Sequence, residues 1–465
     1  MGEYVIKIET SSLGSSGEPI SISRFSKLME TIGPFEASPN IAVGVSGGPD
    51  SLALAILLNR WVKARNGKAF ALTVDHGLRP ESTLEARQVR EWLKSLAMSH
   101  RILCWNDSPK NGVRIQEAAR LARLRLMGDW CRDNDIIHLL MAHHQEDQSD
   151  TFLKRLASGS GVDGLAAMPK SRVLSSNEGK GVRLLRPLLN TTANDLSATL
   201  ESVSQPWISD PSNYDLRFSR VRLNASRKIL EKEGLSPKRL TQLSARAGRD
   251  RATLDILVSH FLADNTVFSS LGYILLAGYP WKGIYESVLI RAFSRLISTF
   301  SGASKPPRLR KVEELVTRIG SQKVFSSITL GGCRFVWKNK QESILVTRES
   351  GRIKDFLKIT PGEVVYWDGR FLVGLEDSSN EEGIVRRLTQ QDVANVRRLS
   401  QNTDNHRYFE NIPASAKFGL PIIEGLDGSI IIPHLKNITY KTRSWAIFAP
   451  SIPLCEKAFD RVENN

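Results

Sequence analysis

The chain has 465 residues, 41% hydrophobic and 24% charged, with 33 glycines and 20 prolines. That is globular composition, which excludes a disordered, collagen-like or coiled-coil chain, and at about 150 residues per domain the length predicts about three domains. Against 49 Asp and Glu stand 64 Lys and Arg, a net charge of +15, which points to a polyanionic partner, nucleic acid before acidic lipid.

In chain order, residues 1–37 read as a polar N-terminal segment, with acids early and no apolar stretch of the kind a secretory signal needs. IAVGVS (41–46) reads as a buried strand, followed by the turn GGPD and an apolar helix from Ser51 to Lys63. The pattern repeats: strand AFALTVD (69–75), helix ESTLEARQVREWLKSLA (81–97), strand HRILCW (100–105), a long helix from Arg114 to Asp133, strand IIHLLMA (136–142) and a helix through Ala157. Strands alternating with helices of this length predict an α/β domain over 38–225 built on a doubly wound parallel sheet, with ligands at the carboxyl ends of the strands. Residues 226–300 read as helical, with RKILEKEG and SARAGRDRATLDILVSHFL amphipathic, and KPPRLRK (305–311) as a turn or linker. From 325 onward SSITLGG, CRFVWK, ESILVT and SIIIPHL are short strand-like runs. The domains expected after 225 are a basic, mainly helical one over 226–350 and a small mixed α/β or β one over 351–465.

Charge follows these divisions. Residues 1–225 carry +4, residues 226–350 carry +11, and residues 351–465 are neutral. The middle stretch is therefore the expected nucleic-acid surface, a solvated face being the plainer alternative. Cys104, Cys131, Cys333 and Cys455 form no C-x-x-C pair, so neither a zinc site nor a redox dithiol is expected, and a reducing cytoplasm fits. The longest apolar run, Leu52 to Leu58, is too short to span a bilayer. A homodimer is compatible with the sequence.

The unusual residues fall at the expected strand ends. VGVSGGPDSLALA sets Ser46, Gly47, Gly48, Pro49, Asp50 and Ser51 between a buried strand and a helix N-terminus, where backbone N–H groups and the helix dipole favour an anion and glycine permits close approach. No Lys follows the second glycine, so this is not the G-x-x-x-x-G-K-[ST] loop. HHQEDQSD (143–150) gathers Glu146, Asp147 and Asp150 after another strand, with Asp147 and Asp150 sharing a helix face at i, i+3. Carboxylates near a phosphate loop imply Mg²⁺ or an ammonium group; a dipole-capping cluster is the alternative. His143 and His144 lack a third ligand at metal spacing and suit structural or substrate-contact roles. Arg120 and Arg123, i, i+3 on EAARLARLR, can project together toward phosphate. Asp75 and His76 can contact adenosine or form a turn, and Trp207, beside Asp210 and Asn213, can line a pocket or pack in the core.

SGGPDS resembles the pyrophosphate loop of the PP-loop ATPases, and VDHGLR (74–79), EAARLARLR (117–125), AHHQEDQSDTFLKRLASGSGVDGLAAM (142–168), RPLL (186–189) and WISDPSN (207–213) resemble, in order and approximate spacing, the tRNA(Ile)-lysidine synthase family. The resemblance covers residues 38–225 in detail, and GLPIIEGLDGSIIIPHL is similar to that family's terminal domain. It departs from the family in HQEDQSDT, where H-x-D-D-x-x-E-T is usual, at Leu124, where Tyr is usual, and around Arg217, Phe218, Ser219 and Arg220, where Arg-Asn is usual. The resemblance implies a PP-loop/Rossmann-like catalytic domain that uses ATP and Mg²⁺ to adenylate the C2 oxygen of the wobble cytidine of an isoleucine tRNA with a CAU anticodon. Free L-lysine then displaces AMP, and the product base, lysidine, pairs with A. It also implies that Ser46, Gly47, Gly48, Pro49, Asp50 and Ser51 hold the phosphates, Asp50 with Asp147 holds Mg²⁺, Arg120 or Arg123 stabilises the leaving pyrophosphate, and Asp150 or Glu146 recognises and deprotonates lysine. Three rivals remain: another PP-loop chemistry, either thiolation, disfavoured because no cysteine pair is available, or an ammonia-dependent amidotransferase-type ligation; an RNA-binding protein that has lost catalysis; and a membrane-surface protein, disfavoured because no basic amphipathic helix with an aromatic-rich face stands out.

Overall fold

A computed structural model describes residues 7–10, 17–77, 81–106, 115–175, 178–179, 181–209, 219–278, 283–303, 305–321, 324–354, 356–376, 382–400, 404–435 and 444–455. Leu78 and Arg79, Arg114, Asp210 and Asn213, and Arg217 and Phe218, all singled out above, lie outside them. The chain divides into two units, the first ending at Ala252 and the second beginning at Thr253.

The first unit is built on alternating strands and helices: α1 (Ile22–Glu30), β1 (Asn40–Gly44), α2 (Pro49–Lys63), β2 (Lys68–Asp75), α3 (Ser82–Ser95), β3 (Ser99–Cys104), α4 (Ile115–Asp133), β4 (His138–Leu140) and α5 (Gln145–Ala157). After α5 come α6 (Val162–Leu165), β5 (Ser171–Val173), β6 (Arg183–Leu185), α7 (Ala193–Glu201), α8 (Ser219–Lys232) and α9 (Pro237–Asn265), which runs past the division. The six strands form one sheet in the order β3-β2-β1-β4-β6-β5. All pairs are parallel except β5 with β6, so the sheet is mixed and mostly parallel.

β1 is central because both its faces are apolar: Ile41, Ala42 and Val43 are fully buried. Strands buried on both faces read as continuous apolar runs. α2 is apolar nearly all round, with ten buried residues from Ser51 to Val62, as expected of a helix packed between layers. It joins Ile41, Val43, Trp61, Leu196 and Trp207 in one core; Trp207 is thus a packing residue. The chain steps outward from β1 to β2 to β3, then returns to the other side of β1 as β4. That reversal puts the loops after β1 and β4 on either side of the sheet's switch point, where open α/β sheets bind ligands.

In the second unit a five-stranded antiparallel sheet comprises Thr266–Ser269, Tyr273–Ala277, Ile328–Leu330, Cys333–Lys338 and Ser343–Arg348. Helices α10 (Glu286–Ser301) and α11 (Leu309–Ser321) share its core through Phe293, Phe300, Leu315 and Phe335. The rest is strand-rich, with one four-stranded and one three-stranded sheet. Asp368 is buried between two arginines, accepting from Arg348 at 2.9 and 3.0 Å and from Arg370 at 2.7 Å. The hairpin at 266–277 corrects the helical reading of 226–300. Ile274 and Leu276 are fully buried while Leu275 is half-exposed, a period of two, and Gly272 turns the chain at φ +74°. Its partner strand, Ser343–Arg348, is too distant in sequence for a local pattern to reveal. The linker read at 305–311 is also shorter than expected, because α11 begins at Leu309.

Candidate active site

The turn after β1 is shaped by one glycine. Gly47 adopts φ +89°, a conformation that costs other residues, and an added Cβ would meet Ile208 Cδ1 and Val89 Cγ2 at 2.8 Å. Its carbonyl accepts from Ile208 N at 2.9 Å. Ser51 Oγ donates to Gly48 O at 3.0 Å and accepts from Ser46 N at 3.1 Å, which ties both ends of the turn together. Gly48 is the N-cap of α2 without a side-chain cap, and Pro49 follows at the first helical position. The N–H groups of a helix's first turn have no intrahelical acceptor, so with the dipole they form an anion site.

At the end of β4, His144 is the hub of the acidic motif. It is 4% exposed. Its Nδ1 lies 2.8 Å from Glu146 Oε2, and its Nε2 lies 3.5 Å from Asp50 Oδ2 and 3.4 Å from Asp147 Oδ2. Its backbone N–H also donates to Asp147 Oδ2 at 3.1 Å, capping α5. Burial opposes a charge here, but the hydrogen bonds to Asp50 and Glu146 and the charges of Asp50 and Asp147 outweigh it and push the imidazole up to about 10. An imidazolium therefore gathers an acid of the phosphate turn and two of α5. Glu146 also accepts from Ala193 N, at 3.1 Å; against its burial, His144 holds it below the usual carboxylate range.

His143, the adjacent residue, has the opposite character. Burial and then Arg186 push it down to about 3, and it accepts from Arg186 Nε through Nδ1 at 3.2 Å. Arg186, at the end of β6, is 2% exposed, and burial lowers it to about 9. Arg123 on α4 contacts His76 Nε2 at 3.0 Å; burial and then Arg120 lower it. Carboxylates thus meet at His144 while guanidinium groups stand around the adjacent His143, an arrangement able to hold a polyphosphate against a cation. Among the described residues no group of three or more His, Cys, Asp or Glu side chains is arranged to hold a metal ion. Two carboxylates do meet at one imidazole edge, and Mg²⁺ commonly takes only one or two from the protein and the rest from phosphate and water.

Of the residues singled out by sequence, Asp50 of the turn 46–51 and Asp147 come together through His144. Asp150, 5% exposed, accepts instead from Arg227 of α8 at 3.3 Å. Asp75 takes the turn role: it accepts from Gly77 N, Ser82 Oγ and Thr83 Oγ1 at 3.1, 2.6 and 2.7 Å, and these bonds outweigh its burial and lower its pKa. Leu124 packs in a core beside Met127 and Leu139. Sequence reasoning missed the hub role of His144, and it missed Arg186 and Arg227. The signal for Arg186 was present, a charged residue interrupting the otherwise apolar run LLRPLL.

Residues 18–232 match the family model described as a PP-loop domain. The chain is similar to the tRNA(Ile)-lysidine synthase of Orientia tsutsugamushi (strain Boryong), at 29% identity over 89% of this chain and 93% of that one. It is similar to that of Rhodopseudomonas palustris at 40% over 65% and 85%, and to that of Bradyrhizobium sp. (strain BTAi1) at 35% over 74% and 95%.

Proposed function

Because the chain belongs to the tRNA(Ile)-lysidine synthase family, a family of ATP-using, tRNA-modifying enzymes with a PP-loop domain, we propose the full reaction its members' name describes. The enzyme joins the side-chain amine of free lysine to C2 of the wobble cytidine in an isoleucine tRNA with a CAU anticodon, changing the codon read and the amino-acid identity. In the first step the cytidine C2 oxygen attacks the α-phosphorus of ATP, the α–β bridging bond breaks and pyrophosphate leaves. In the second the lysine amine attacks C2 and gives up a proton, while the C2–O bond breaks and AMP leaves.

The observation that carries this reading is the convergence of Asp50 and Asp147 on His144 Nε2, which joins the phosphate turn to the acidic motif. Ser46, Gly47, Gly48, Pro49, Asp50 and Ser51 cradle the phosphates. Arg123 or Arg120, with Arg186, stabilises charge on the departing pyrophosphate. Asp50 and Asp147 would hold Mg²⁺, which neutralises phosphate charge when bound. Asp150 or Glu146 recognises and deprotonates the lysine. The cytidine must leave the anticodon stack to reach the turn, and the tRNA stem is held by exposed basic residues, Arg246 and Arg249 on α9 and Arg308, Arg310 and Lys311 at α11. Among the described residues no helix is long and apolar enough to cross a membrane; the reaction belongs in the cytoplasm with its tRNA. Asp147→Asn tests the reading: turnover is abolished while tRNA binding survives, and full activity in that variant refutes the role of Asp147.

A further inference from the structure

The polar N-terminal segment returns to the phosphate turn. Ile8 and Glu9 pair antiparallel with Ile208 and Trp207, each strand two residues long. The strand at 207–208 divides its edges. On one, Ile208 N donates to Gly47 O at 2.9 Å; on the other, Ser209 N donates to Lys7 O, also at 2.9 Å. The Ile208 side chain presses on the same glycine, since a Cβ added to Gly47 would meet Ile208 Cδ1 at 2.8 Å. Trp207 and Ile208 are buried, and residues 7–9 supply the second strand of their ladder. A ladder this short has little stability of its own, so each side-chain bond across it counts.

Glu9 supplies those bonds. Its carboxylate lies 3.1 Å from Lys7 Nζ and also accepts from Ser209 and the Trp207 indole. Lys7 first, then these two, hold it below the usual carboxylate range against its partial burial. An exposed ion pair contributes little alone, but two of the three partners lie on or beside the strand that holds Gly47. Downstream the segment is fastened to α7. Glu18 N donates to Asp195 Oδ1 at 3.2 Å, Ile20 N to Thr199 Oγ1 at 2.9 Å, and Arg24 pairs with Asp195 Oδ2 at 2.7 Å. A Cβ added to Gly17 would lie 2.3 Å from the Asn194 backbone, so the chain runs close along the helix. α7 is itself tied to the acidic motif, through Ala193 N to Glu146 Oε2. The N-terminal segment thus reaches both halves of the site from outside.

Resting on the ATP-binding role of the turn 46–51, we propose that residues 7–9 are a strap that positions the phosphate turn for ATP through Trp207 and Ile208, with Glu9 as its positioning residue. With the ladder formed, Ile208 N fixes the Gly47 carbonyl, and the turn is already in the geometry that phosphate requires. With the ladder broken, Ile208 loses the strand that fixes its backbone, the turn samples other geometries, and ATP binding must restore the productive one. The strap therefore acts on nucleotide binding and not on the chemical steps, and its loss is read in the KM for ATP.

The test is pyrophosphate release by the full-length enzyme with Mg²⁺, lysine and a tRNA bearing the wobble cytidine, measured against ATP concentration. Glu9→Pro removes both the carboxylate and a backbone N–H from the strap. It is expected to raise the KM for ATP by about three- to tenfold, the fold-change that one hydrogen bond represents, with kcat and the KM for tRNA unchanged. Because the strap lies at the surface, with Ile8 46% exposed, the variant should melt with the wild type. Glu9→Gln, which keeps an acceptor for Ser209 and Trp207, returns the KM for ATP toward the wild-type value. An unchanged KM for ATP in Glu9→Pro, or a fall in kcat and Tm without a change in that KM, overturns the strap and leaves a structural edge strand. A wild-type enzyme that releases no pyrophosphate overturns the ATP reading itself.

Discussion

The two glycines of the phosphate turn are expected to fail in opposite ways when each is replaced by alanine. At Gly47 the methyl group would lie 2.8 Å from both Ile208 Cδ1 and Val89 Cγ2, which are 5% and 0% exposed in their residues and cannot swing into solvent. Forcing an L-residue into the left-handed region costs about 1–2 kcal/mol, and overpacking a closed core adds about 1–3 kcal/mol. The total, about 2–5 kcal/mol, lowers the Tm of a unit this size by roughly 4–20 °C. Gly48 has φ −74°, and its nearest neighbour to an added Cβ is Ser46 Oγ at 3.7 Å, an ordinary contact. Gly48→Ala should therefore melt with the wild type but raise the KM for ATP, because the methyl group stands where phosphate approaches. Thermal melts of both variants, with pyrophosphate release against ATP concentration, measure the contrast. A Gly47→Ala protein as stable as wild type, or a Gly48→Ala protein that alone unfolds early, refutes this account of the turn.

Two further outcomes are expected. Arg172 and Ser175 outweigh the burial of Glu178 and hold it down to about 2, so its folded pKa lies below the unfolded value. Its stabilisation, on the order of 3 kcal/mol, is present above about pH 4.5 and lost as pH falls toward 2; Glu178→Gln should lower stability at pH 7 and flatten denaturant-measured stability across that acid window, and an unaltered acid limb would contradict the pairing. Reversing Arg246, Arg249 and Arg251 should weaken tRNA binding and reduce the slope of log K against log salt by about 2–3, the loss of roughly three phosphate contacts; an unchanged slope removes α9 from the tRNA surface. Arg310 and Lys311 face Glu314 at 3.4 and 3.0 Å, so reversing them is expected to matter less.

The α/β half of the fold was legible because its signals are local. The continuous apolar run of β1, the period-two and period-3.6 stretches after it and the glycines before α2 each declare an element within a few residues. The hairpin at 266–277 was not, because its strands are stabilised by a partner whose register, Ile274 opposite Val346, depends on a contact across some seventy residues. The site divides the same way. The turn 46–51 and the acids of α5 announce themselves as motifs, but the hub role of His144 exists only because Asp50, far away in sequence, folds to within 3.5 Å of it. Arg227 was invisible for the same reason: on a basic helix it reads as one more solvated cation, and only the fold sets it against Asp150.

The proposed reaction transfers free lysine to a wobble cytidine at the expense of ATP. The most direct measurement is incorporation of labelled lysine into tRNA by the purified protein with ATP and Mg²⁺, using a CAU isoleucine tRNA and the same tRNA with the wobble cytidine replaced by uridine. Label confined to the cytidine-bearing tRNA is the predicted result. Pyrophosphate release without label would mean an active ATP site serving another nucleophile, and the absence of both would contradict the account and favour an RNA-binding protein without catalysis.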